Sequence, residues 1–111
     1  MAHPAVRADA ETLISNIPAE IVDAFEDFLD AHGVEVSLAQ TSTVRMITSS
    51  FHRYCRRVLH IEPPSGTEVI RMLDVAGYLP EWVVTKSGVS LLIVRGLKLD
   101  DAAMNGEFAN V

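Results

Sequence analysis

Apolar residues recur at helical spacing between Ile17 and Leu29, and carboxylates occupy most of the positions between them. Asn16 is a favourable N-cap, and Pro18 is tolerated in a first helical turn because its missing N–H needs no partner there. Gly33 follows the periodic run and suits a left-handed C-cap. The pattern therefore predicts a first amphipathic helix that begins near Asn16 and ends at His32.

A second amphipathic helix follows a connector at residues 34–40, in which apolar and polar residues alternate and allow a short strand. We expect Thr41 or Ser42 to cap this helix. Pro63-Pro64 excludes its continuation beyond residue 62. Its predicted buried stripe consists of Val44, Ile47, Phe51, Tyr54, Cys55 and Val58.

The third predicted helix opens with a capping box, in which the Ser65 hydroxyl and the Glu68 carboxylate each accept a backbone N–H. It covers residues 69–76 and stops at Gly77. We expect Ile70, Leu73 and one of Val69 or Ala76 to face the core, and Thr67, Arg71, Asp74 and Met72 to face outward.

Two β-rich runs, 82–86 and 89–99, are joined through Ser87-Gly88 and predict a β-hairpin. Three helices followed by a hairpin define an α+β class and the outline of a winged helix. The predicted organisation is a flexible segment at 1–15, a winged-helix domain at 16–99 and a flexible acidic tail at 100–111.

The net charge of the chain is −6, but the charge is distributed unevenly along the sequence. Residues 1–40 carry −7, residues 41–99 carry +4 and residues 100–111 carry −3. A basic segment within an acidic chain indicates a partner for that segment rather than a property of the whole protein.

The composition excludes several classes of protein. With 49% hydrophobic residues and a single Cys, the 111-residue chain fits one globular domain in a reducing, cytoplasmic setting. No signal peptide and no membrane-spanning run are apparent, so no membrane partner is expected. The four His residues lack metal-ligand spacing, and Cys55 lies on an apolar face. We therefore expect no enzyme activity, no metal and no cofactor.

The basic segment is the candidate nucleic-acid interface, with DNA expected rather than RNA, and arginines and lysines holding phosphates. Its candidate residues are Arg45, Arg53, Arg56, Arg57, Thr67, Arg71, Lys86, Arg95 and Lys98.

Other interpretations remain open for several of these residues. Arg53, Arg56 and Arg57 could instead pair with the acidic first helix, and Lys86 could be an ordinary turn lysine. Trp82 could stack on a base, or lie in the core or at its rim.

Residues 17–99 carry a family resemblance. The segments 51–55 (FHRYC), 63–65 (PPS), 73–78 (LDVAGY) and 95–99 (RGLKL) resemble the C-terminal winged-helix module of phage and plasmid primase–helicases. The phosphate-binding loop of the helicase domain is absent from this sequence. The resemblance therefore implies only a nucleic-acid-binding appendage, free-standing here, that serves replication or regulation in a phage or mobile element.

Two further hypotheses concern the first helix. Its carboxylates could bind a basic protein partner, as in an adaptor or inhibitor. Ile17, Val22 and Phe28 do not fit one narrow stripe, and the apolar surface left over could support a homodimer. The candidate partner-binding residues are Glu20, Asp23, Glu26, Asp27 and Asp30.

Overall fold

The computed structural model describes residues 14–108 and shows an α+β fold with two small antiparallel sheets. The helices are α1 (Ala19–His32), α2 (Val44–Tyr54), α3 (Gly66–Val75) and α4 (Asp101–Asn105). A π-helical turn at Cys55–Leu59 extends α2. The strands are β1 (Gly33–Glu35), β2 (Thr41–Thr43), β3 (Glu81–Val84), β4 (Ser90–Arg95) and β5 (Leu97–Leu99).

Helix α1 ends at His32 as predicted, but its N-cap and the conformation of Gly33 differ from the prediction. Pro18 rather than Asn16 is the N-cap, and its carbonyl accepts the Ile21 and Val22 N–H groups. Gly33 is extended, with φ −85° and ψ 138°, so the predicted left-handed cap is wrong. A Cβ at Gly33 would lie 2.6 Å from the Leu29 carbonyl oxygen, so glycine is needed here for a close approach of the backbone.

The hairpin prediction is confirmed, but its second run is two strands rather than one. Strand β4 lies between β2 and β3, with Trp82 opposite Leu92, while β5 pairs with β1. Gly96 separates β4 from β5 with φ +82°, a conformation that favours glycine. The short strand expected in the connector is present as β1.

The cap of α2 lies one or two residues later than predicted. The Thr43 hydroxyl accepts the Met46 N–H, whereas Thr41 and Ser42 belong to β2. Ser42 is buried there and donates its hydroxyl to the Leu97 carbonyl at 2.7 Å. The predicted apolar stripe is confirmed, because its members are buried or packed against the core.

The Ser65–Glu68 capping box is confirmed, with both of its reciprocal hydrogen bonds present. Helix α3 begins at Gly66, three residues before the predicted start. Met72 is only 3% exposed, so the expectation that it faces solvent is wrong. Its side chain joins Val69 and Leu73 in the core.

The C-terminal segment is not a mobile tail where the structure describes it. Asp100 caps α4 by accepting the Ala103 N–H at 2.8 Å, and both Ala103 and Phe108 are buried. Five helical residues are too few for a periodic pattern, which explains the wrong prediction. The flexible segment expected at 1–15 lies almost entirely outside the described residues, as do residues 109–111.

Gly33→Ala should destabilise the fold by about 1–3 kcal/mol, because the new methyl group would overlap a backbone carbonyl that cannot move alone. Gly66→Ala is the matched control, since a Cβ there meets no atom within 4 Å. Urea denaturation should show a lower midpoint for Gly33→Ala and no loss for Gly66→Ala. Equal midpoints would contradict the close approach.

Candidate nucleic-acid interface

One stripe of α2 carries two of the predicted phosphate-binding arginines. Arg45, Ser49, His52 and Arg56 follow one another at spacings of four, three and four residues, so they share a helix face. Arg45, Ser49 and Arg56 are exposed, and no hydrogen bond or ion pair holds either arginine within residues 14–108. At a rise of about 1.5 Å per residue, the two arginines lie about 16 Å apart along the helix.

A groove begins at the N-terminal end of this stripe and ends against the hairpin. It has a volume of about 430 Å³, and its walls include Arg45, Ser49 and Trp82. Thr48 and Ser90 add two more hydroxyls. Trp82 is 69% exposed, so the interpretation that it belongs to the core or its rim is wrong. The groove thus joins a guanidinium group, an open aromatic face and four hydroxyls, of which that of Thr43 is engaged in the cap of α2.

The other two arginines of α2 and its π-helical turn are held against α4. Arg57 donates to the Gly106 carbonyl at 2.9 Å, just beyond the C-terminal end of that helix. The Arg53 Nε atom is buried without a hydrogen-bond partner in the described residues, close against Gly106. Arg57 therefore holds the C-terminal segment by a hydrogen bond, and Arg53 is enclosed beside it.

Several polar contacts fix α4 in this position. The His32 ring nitrogen Nδ1 lies 3.0 Å from Asp100 Oδ2, and the Asp100 N–H donates to the His32 carbonyl. Ser50, which is buried, donates its hydroxyl to the Ala103 carbonyl at 2.8 Å. The Phe108 ring packs edge-on against the His32 ring. None of these long-range contacts has a local signature in the sequence.

The structure spreads the candidate residues of the hairpin and β5 over different environments. Lys86 is exposed in the hairpin turn. Arg95 forms an ion pair with Glu81 on the neighbouring strand. Lys98 is exposed on β5, opposite Val34 of β1. Of these three cations, Lys86 and Lys98 remain unpaired within residues 14–108.

Helix α3 offers little positive charge. Thr67 is exposed, whereas Arg71 is half-buried and lies three residues from both Glu68 and Asp74. The carboxylates at these spacings are helix neighbours of the guanidinium group. The net charge of this helix is therefore negative, and α2 carries the larger share of the candidate phosphate contacts.

The carboxylates of α1 do not neutralise the arginines of α2. All five candidate partner-binding residues, Glu20, Asp23, Glu26, Asp27 and Asp30, are exposed. The ion pair of an Arg or Lys within residues 14–108 is Arg95–Glu81, and His32 Nδ1 contacts Asp100; neither contact involves an α1 carboxylate. The first helix thus leaves both its own charge and that of Arg45 and Arg56 available.

A second groove, of about 660 Å³, runs beside this acidic helix. Its walls combine apolar side chains with carboxylates at Glu26, Asp30 and Glu35. The apolar part comes from Leu29, Val34, Ala76, Tyr78 and Leu97.

The leftover apolar surface on the first helix that motivated the homodimer hypothesis is absent, because Ile17 and Phe28 are buried and Val22 packs against the core.

Cys55 is enclosed by the core and is poorly suited to nucleophilic chemistry. Burial raises the pKa of its thiol to about 11, although the nearby Arg56 guanidinium acts in the opposite direction. Its thiolate is the reactive form, and this pKa makes the thiolate scarce at neutral pH.

No group of three or more His, Cys, Asp or Glu residues in the described part of the chain could hold a metal ion.

No helix within residues 14–108 combines the length and the apolar character that a membrane crossing needs. No family model matches the sequence, and neither a curated protein nor a solved structure matches it significantly.

Arg57→Gln should lower the free energy of unfolding by about 1 kcal/mol, because it removes the hydrogen bond to Gly106 at the end of α4. Arg56→Gln removes the same charge one residue earlier and should change stability by less than about 0.5 kcal/mol. Thermal denaturation of the two variants should show the larger loss of stability for Arg57→Gln. Equal losses would show that α4 does not depend on Arg57.

Proposed function

We propose that the protein is a winged-helix module that binds nucleic acid, DNA rather than RNA. The order α1, β2, α2, α3, β3, β4 supports the winged-helix assignment, as does the sheet order β2-β4-β3. The β3–β4 hairpin is then the wing. Its place in replication or regulation, in a phage or mobile element, is proposed from the sequence resemblance alone.

The observation that carries this proposal is the unpaired stripe on α2 that opens into the Trp82 groove. Arg45 and Arg56 have no protein partner in the described residues, so they can neutralise phosphates without first breaking an ion pair. Their separation of about 16 Å along the helix corresponds to roughly five base-pair steps of about 3.4 Å along the axis of a duplex. In this mechanism α2 positions the backbone and Lys86 reaches a further phosphate.

The role of α3 in this proposal is modest. Thr67 and Arg71 remain candidates for contact with nucleic acid, but Glu68 and Asp74 repel a phosphate backbone. Arg53 and Arg57 contribute less than expected because they are engaged with the C-terminal segment. Binding is therefore expected to be governed by charge and strongly sensitive to salt.

Fluorescence anisotropy with labelled oligonucleotides tests this function directly. Arg45→Gln/Arg56→Gln should weaken binding about tenfold at low salt and reduce the slope of log affinity against log salt by about 2. Circular dichroism should confirm that the variant stays folded.

The matched control is Arg95→Gln/Lys98→Gln, which removes the same amount of charge from strands β4 and β5. Arg95 is already paired with Glu81. This control should weaken binding by less than about threefold. Equal weakening by the two double variants, or no oligonucleotide binding at low salt, would overturn the proposed surface.

A second candidate function is favoured by the groove beside α1. Its apolar wall and three exposed carboxylates, Glu26, Asp30 and Glu35, complement a helix that carries an apolar stripe flanked by Lys or Arg. The protein could then hold a basic partner on this face while nucleic acid occupies the α2 face. We propose this adaptor role as the alternative to nucleic-acid binding alone.

The probe for this alternative is a synthetic amphipathic peptide with a leucine stripe flanked by lysines. Glu26→Gln/Asp30→Gln should weaken its binding about tenfold, since both carboxylates line the groove. Glu20→Gln/Asp23→Gln, on the same helix but outside this groove, should leave it nearly unchanged. Equal losses, or equal binding of a peptide whose leucines are replaced by serines, would indicate unspecific charge attraction.

A further inference from the structure

We infer that the Trp82 groove holds an unpaired nucleotide, with its base stacked on the indole ring and its phosphate on Arg45. The protein would therefore prefer single-stranded nucleic acid to a closed duplex. This inference rests on the proposed nucleic-acid function and specifies the strand class that the site accepts.

The exposure of Trp82 is the first step in this argument. The indole is 69% exposed, although a residue of this size and apolarity is usually well covered. It lies on β3, one of the two edge strands of the three-stranded sheet, with Leu92 opposite it on β4. Because side chains alternate along a strand, Trp82 shares its face with Val84, which is 71% exposed. The hairpin thus presents an uncovered apolar platform.

The chemistry of the remaining walls favours a nucleotide over a purely apolar ligand. Arg45 supplies a guanidinium group that can hold a phosphate, and Thr48, Ser49 and Ser90 supply hydroxyls that can donate or accept at a base or sugar. A volume of about 430 Å³ is within the common range for small-molecule sites. Aromatic platforms combined with cationic side chains are typical of single-strand binding sites.

Strand selectivity follows from the stacking. Within a duplex, each internal base already stacks on its neighbours, so an indole can reach a base face only at an end or after the base is displaced. An unpaired strand offers its base faces without that cost. Phosphate contacts from Arg56 and Lys86 act on both forms, and the preference therefore depends on Trp82.

Trp82 is the only tryptophan in the chain, so its intrinsic fluorescence reports on this site alone. Titration with a short oligothymidylate should quench and shift the emission. A DNA dumbbell, a duplex closed by hairpins at both ends, should bind at least about tenfold more weakly and leave the emission nearly unchanged, because its internal base faces are covered.

Variants at this position extend the test by anisotropy with labelled oligothymidylate and dumbbell DNA. Trp82→Ala should weaken single-strand binding by about tenfold or more, with little effect on the dumbbell, whereas Trp82→Phe should retain most of the affinity because it keeps an aromatic face. The matched control Leu79→Ala removes an apolar side chain that is equally exposed, at 70%, but does not line the groove, and should change either affinity by less than about twofold.

The outcomes separate this inference from the proposed function. Equal affinity for both DNA forms, with unchanged Trp82 emission, would overturn the single-strand inference; if Arg45→Gln/Arg56→Gln still weakened both, the nucleic-acid function would stand. Absence of binding to either DNA at low salt would overturn both. An emission shift on raising the protein concentration without DNA would show that a second copy covers the indole, and this would also overturn the inference.

Discussion

The packing around the Phe28 ring holds the elements of this protein in their relative positions. Its centroid lies 5.3 Å from that of Phe51 and 5.3 Å from that of Tyr54, which connects α1 to α2. It also lies 6.5 Å from the Phe108 ring, beyond the end of α4. Aromatic pairs at these separations add stabilisation beyond the burial of their area. This cluster orients α2, and α2 carries the charged stripe.

The candidate binding surface consists of the cations that neither the core nor the C-terminal segment engages. Docking of α4 places Arg57 on the Gly106 carbonyl and encloses Arg53 beside it, so Arg57 stabilises this docking by a hydrogen bond. Arg45 and Arg56 lie on another stripe of the same helix and keep no partner within residues 14–108. The arginines of this region look equivalent in the sequence. Helix geometry and the docked C-terminal segment, almost fifty residues away, give some of them a structural role and leave the others as candidate binding residues.

Local patterns predicted the helices well, because their causes are local. The Ser65–Glu68 capping box and the apolar stripe of α2 depend on residues within a few positions of one another. The helix at Asp101–Asn105 contacts α2 through Ser50 and Arg57, and the extended Gly33 pairs with Leu99 of β5, so no pattern within a short window indicated either of them. The sequence could not show whether Trp82 was covered, since that depends on how the hairpin packs against α2.

Amide chemical-shift mapping by NMR with a short oligothymidylate at low salt is the most direct test of the account. The account predicts that the perturbed amides cluster along the Trp82 groove, at residues 43–49, 66, 82 and 90–92, and continue along α2 toward Arg56. Perturbations centred on the acidic groove, at residues 26–35 and 76–78, or no perturbation at all, would contradict it.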